Sequence, residues 1–159
     1  MDQRITANLP FGPARFEILL AALEDVFTFC RSLGLSPEAG RFGEYQKILF
    51  EMHEIVTSDP GTFPARTRDP GYRVTVSETM DIIEILPYLR TCNPDAVRPK
   101  LRVVLGGPVL PSDEGPDSNE PRNIEFELRF AWLLHCAGFD PKLGEHPDVW
   151  LDSPWTFLF

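Results

Sequence analysis

The chain has 159 residues, enough for one domain with a real core, and its 43% hydrophobic and 25% charged fractions are those of an ordinary globular protein. A net charge of −9 excludes a broad, sequence-independent nucleic-acid coat, which needs basic surface, but is compatible with a local basic groove. No run approaches the roughly 20 apolar residues of a membrane span, MDQRITANLP lacks a signal-peptide pattern, and the scattered Cys30, Cys92 and Cys136 suit neither a disulfide framework nor a zinc site, so a cytoplasmic protein is expected.

Residues 14–33 carry Phe16, Leu19, Leu20, Leu23, Val26, Phe27 and Cys30 at i, i+3, i+4 spacing, which predicts an amphipathic helix with Gly34 as its C-terminal cap. A second helix is expected over 42–57, with Tyr45, Ile48, Leu49, Met52 and Ile55/Val56 on its buried face. Residues 58–73 are irregular, rich in proline and glycine, and hold Arg66, Arg68 and Arg73. They read either as a solvated linker or as a phosphate-contacting loop.

Helical spacing resumes over 76–91, with Ser77 or Thr79 as the cap, Ile82, Ile83, Leu86 and Leu89 buried, and Pro87 kinking or ending the helix. A short helix over 95–105 follows, stopped by Gly106-Gly107-Pro108, with Arg98, Lys100 and Arg102 read as a solvated basic face. Residues 106–121, dense in proline, glycine and carboxylates, read as a linker.

Asn119 or Ser118 can cap a further helix starting near Glu120, with Pro121 in its first turn. Its expected buried stripe is Phe126, Phe130, Leu133, Leu134 and Ala137, with Glu125 and Arg129 paired on the opposite side. Glu127 falls at the edge of that stripe, where a carboxylate needs a partner or a cation. Beyond Gly138, strands are expected at 139–143, 149–151 and 155–159, the last being the aromatic WTFLF.

The order helix with Glu127, Pro147-Asp148 at a strand entry, turn and second strand resembles the PD-(D/E)XK nuclease superfamily, over the residues from Asn119 onward. With the helical region at 1–105 and the linker at 106–121 read from spacing and composition, the expectation is a mostly helical α+β protein, and the resemblance implies a partial restriction-endonuclease-like core of one helix and three short strands at 122–159. It further implies Asp148 and Glu127 as catalytic, metal-holding residues for Mg²⁺, because a hard divalent ion takes oxygen ligands and lowers the pKa of bound water. Arg122, Asn123, Arg66 and Arg68 would then be candidate nucleic-acid contacts. The family's Glu-x-Lys is absent after WTFLF, so the expectation is a fragment of a nuclease-like protein, inactive as this chain. The alternative is a non-enzymatic helical interaction or dimerisation module, with a homodimer formed through the unpaired terminal strand.

Overall fold

The computed structural model describes residues 13–58, 68–115, 119–144 and 149–151. Within them lie five α-helices: α1 (Pro13–Ser32), α2 (Arg41–Ser58), α3 (Pro70–Leu89), α4 (Pro94–Leu105) and α5 (Glu120–Cys136). Two three-residue strands follow, β1 (Pro141–Leu143) and β2 (Val149–Leu151). Helices α1, α2 and α3 pack on one another, α4 packs on α5, and α5 closes against α3. Among the described residues no helix is long and apolar enough to cross a membrane.

Helix α1 buries Phe16, Leu20, Leu23, Val26, Phe27 and Cys30, as its periodicity dictates. Gly34 ends it at φ 71°, and this left-handed turn lets Leu35 N–H return to the Cys30 carbonyl at 3.0 Å. Helix α2 inserts Phe42, Tyr45, Leu49, Met52 and Val56 into the same core.

Helix α3 starts earlier than its apolar spacing implies. Asp69 caps it, accepting from Gly71 N–H at 2.8 Å, and Pro70 occupies the first turn, where its missing N–H costs nothing. Ser77 and Thr79 therefore lie inside the helix, and Thr79 is buried. Pro87 sits on the exposed side of the last turn, so the helix runs on to Leu89. Asn93 caps α4 through Asp95 N–H at 3.0 Å, and Gly106 ends it.

The expected partial nuclease core of one helix and three strands is overturned. Strand structure among the described residues is limited to one antiparallel hairpin, with Pro141 opposite Leu151 and Leu143 opposite Val149. The first strand is shorter than expected because Phe139 N–H is used at 3.0 Å on the Leu134 carbonyl, closing the turn at Gly138 (φ 88°) that ends α5. The Trp155–Phe159 strand lies outside the described residues. The fold is carried by helix–helix packing, and the hairpin adds Leu143, Val149 and Leu151 at its edge.

The buried stripe expected on α5 is also corrected. Pro121, Glu125, Leu128 and Ala131 face inward, while Phe126 is 69% exposed and Leu133 51%. Glu125 and Arg129 do not pair with each other. Glu125 meets Arg41 of α2, and Arg129 meets Asp81 of α3 at 2.6 Å. The helix is rotated so that Glu125 and Arg129 reach partners on α2 and α3, and Phe126 and Leu133 are left outside.

Candidate functional site

A layer of charge runs between α2, α3 and α5. Its centre is Arg41, the first residue of α2, whose side chain is wholly buried. Its guanidinium lies 3.1 Å from Glu78 of α3 and hydrogen-bonds Glu125 of α5. One turn on, the Tyr45 hydroxyl is 2.6 Å from Glu78 and 3.0 Å from the Val109 carbonyl oxygen. Arg122 donates to Glu78 at 2.8 Å, to Glu114, and to the Pro108 and Val109 carbonyls, tying the segment after α4 onto α3. Gly107 makes room here: a Cβ would stand 2.7 Å from Pro121 and 3.4 Å from the Arg41 guanidinium.

Four carboxylates (Glu78, Asp81, Glu114, Glu125) thus meet three guanidiniums (Arg41, Arg122, Arg129). One negative charge is in excess when all are ionised. The Glu125 carboxyl is pushed up to about 7, first by burial and then by Glu78 and Asp81, against the opposing pull of Arg41. Its second oxygen is buried without a hydrogen bond, which is why desolvation dominates. Burial also raises Asp81, partly offset by Arg129. The layer is a closed structural network: its carboxylates are met by fixed guanidinium groups, and no group of three or more His, Cys, Asp or Glu among the described residues is arranged to hold a metal ion.

Glu127, an expected metal ligand, pairs with Lys100 of α4 at 3.1 Å. Lys100 is itself buried, not part of a solvated basic face, so the carboxylate at the stripe edge found its partner across the α4–α5 contact. Asp148 and Arg66 lie outside the described residues, as does any approach of Asp148 to Glu127. Arg68 is exposed just before the Asp69 cap, Asn123 is exposed on the outer side of α5, and Arg122 is engaged by the protein partners above.

A polar cleft of about 610 Å³ between the α3–α4 turn, the end of α5 and β1 contains Tyr88, Thr91, Cys92, His135, Asp140 and Lys142. Its polar groups serve the fold. Thr91 and Cys92 donate to the Tyr88 carbonyl at 2.7 and 3.4 Å, the Tyr88 hydroxyl donates to the Pro141 carbonyl at 3.3 Å, and Lys142 pairs with Asp140 at 2.6 Å. Burial pushes the Cys92 thiol up, which is the opposite of nucleophile activation.

The outer surface carries the contrasting feature. A groove of about 380 Å³ lies between α1 and α3, floored and walled by Phe16, Ile18, Leu19, Ala22, Val76, Met80 and Ile83, with Arg15 and Glu84 on its rim. Ile18 is 69% exposed and Met80 44%. On α5 the exposed Phe126 and Leu133, with half-buried Phe130 between them, form a ridge at i, i+4, i+7 spacing. Neither surface was legible in the sequence: Ile18 is the neighbour of a buried stripe, Met80 and Val76 fall outside the expected face of α3, and the α5 ridge was read as core.

No protein-family model, no curated protein and no solved structure matches the chain. The reading of function therefore rests on these surfaces.

Proposed function

We propose that this chain is a non-enzymatic helical interaction module that binds a protein partner. The observation that carries this reading is the α1–α3 groove, an apolar concavity whose large side chains, Ile18 and Met80, stand in solvent. Single exposed apolar residues are ordinary on a protein surface, but here Ile18 and Met80 join one apolar groove rimmed by charge, which supports a partner site. Two helices with an apolar cleft between them suit the helix-in-groove mode of recognition, in which anchors at i, i+3/i+4 and i+7 fill the cleft. The reading is supported further by what the ionisable residues do. Among the described residues, Arg41, Glu78, Glu125 and Arg122 are engaged with one another and Lys100 with Glu127, in pairs that serve the fold.

The test has two arms. Selection of helical peptides from a displayed library against the full chain, with the Ile18→Asp/Met80→Asp variant as counter-screen, is expected to yield peptides that bind only the parent protein. Incubation with single- and double-stranded DNA and RNA in Mg²⁺ is expected to leave the substrates intact. Mg²⁺-dependent cleavage that disappears in Glu127→Gln would replace this reading with that of a metal-dependent phosphodiesterase.

A further inference from the structure

Resting on the interaction-module reading, we infer that the occupant of the α1–α3 groove is an amphipathic helix of a different protein. That helix carries a carboxylate at the end near Arg15 and a base about two turns away, near Glu84. The charge pattern of the groove sets this order. The ring centroids of Phe16 and Tyr72 are 6.5 Å apart, and Asp25 pairs with Arg90 at 2.6 Å, so α1 and α3 run in the same general direction. Their N-terminal ends lie together. Arg15 is on the rim there, and exposed Arg73 lies one turn before Val76 on the same face of α3. The two helix dipoles add positive potential at that end. Glu84 stands at the other end. Among the described residues neither Arg15 nor Glu84 has an ion-pair partner, in a molecule that pairs most of its interior charges.

The stretch from Val76 to Glu84 on α3, and from Arg15 to Ala22 on α1, corresponds to roughly 10–12 Å of helix, or seven to eight residues of an occupant. The occupant's apolar anchors at i and i+3/i+4 would therefore be bracketed by its own acid and base, about seven residues apart.

A second copy of this chain fits less well. The ridge on α5 has the anchor spacing, but its flanking bases are committed, Arg122 to Glu78 and Glu114 and Arg129 to Asp81. Neither arginine is free to meet Glu84, and two chains of net charge −9 repel as they approach.

The peptide selection decides the matter when the charge order of the selected sequences is read. The expected result is enrichment of peptides with an acid and a base about seven residues apart, binding at least tenfold more tightly to the parent than to Ile18→Asp/Met80→Asp. Arg15→Glu/Glu84→Lys should then prefer the same peptides with acid and base exchanged, a reversal of about tenfold each way. Groove-dependent peptides with no charge order would overturn this inference and leave the interaction-module reading standing. Absence of any groove-dependent peptide would remove both. Concentration-dependent doubling of the molecular mass that Met80→Asp abolishes would instead make the occupant a second copy. Tighter peptide binding by the full-length Ile5→Asp/Leu9→Asp variant would make it this chain's own N-terminal stretch. Either of the last two outcomes overturns the inference.

Discussion

Helix α3 has two faces that obey opposite rules. One turns Glu78 and Asp81 inward, against the guanidiniums of Arg41, Arg122 and Arg129. The other presents exposed Met80, with half-buried Val76 and Ile83 beside it, to the groove with α1. Transfer energetics alone would favour the reverse arrangement. The charged face holds because its members are mutually paired, and such pairing fixes how helices are oriented more than it adds net stability. The apolar face is the surface that we propose a partner helix covers. The contrast teaches that paired interior charges, and not apolar burial alone, set how the helices are turned.

The largest test of the charged face is Arg41→Met. It leaves Glu78 and Glu125 buried beside each other without their shared cation, and unfolding in urea should show a loss of about 3–5 kcal/mol. Adding Glu125→Leu should recover a substantial part of that loss, because the uncompensated carboxylate goes with it. Additive losses would mean that the two residues do not act as a pair.

The pH dependence comes next in size. The Glu125 carboxyl is raised from an ordinary 4.5 to about 7, so the folded state holds its proton more tightly than the unfolded chain does. Its contribution to stability is complete below about pH 4.5 and is lost as the pH rises through 7, a decline of about 3 kcal/mol between those limits. Asp81, also raised, acts in the same direction. Glu125→Gln should flatten most of that decline when urea midpoints are compared at pH 5 and pH 8. An equally steep decline in the variant would place the titration elsewhere.

Lys100→Met probes the smaller pair between α4 and α5. Glu127 would lose its partner while still half-buried, at a cost of about 2 kcal/mol, and Lys100→Met/Glu127→Met should cost less than the single change.

The smallest effect on folding is expected on the apolar side. Phe126→Asp/Leu133→Ser should change stability by less than about 0.5 kcal/mol per site, because both side chains are already in solvent. The same variant should abolish any self-association through the α5 ridge seen by light scattering. A large destabilisation would show that the ridge is covered within the chain.

Much of this fold is legible in the residues one helix at a time. The stripes of α1 and α2 and the caps at Gly34 and Gly138 follow from spacing and backbone chemistry, since each depends on neighbours within a turn or two. The start of α3 was missed because Asp69-Pro70-Gly71 reads as a turn, and the same three residues make a cap and a first helical turn once a helix packs behind them. Nothing near Lys100 in the sequence reveals Glu127 on the next helix, so its spacing alone suggests a solvated base. Glu127's need for a partner was legible, and the identity of that partner was not.

By itself the sequence determined the number and approximate extent of most of the helices, the acidic balance, and which apolar stripes of α1 and α2 must be buried, because these depend on local spacing and composition. Only the tertiary structure decided how α5 is rotated. Its periodicity offers a stripe of Phe126, Phe130 and Leu133, and the packing buries Glu125, Leu128 and Ala131 instead. The reason is physical: Arg41, 84 residues away in the chain, is buried and has to meet a carboxylate, and bringing Glu125 to it turns Phe126 and Leu133 out.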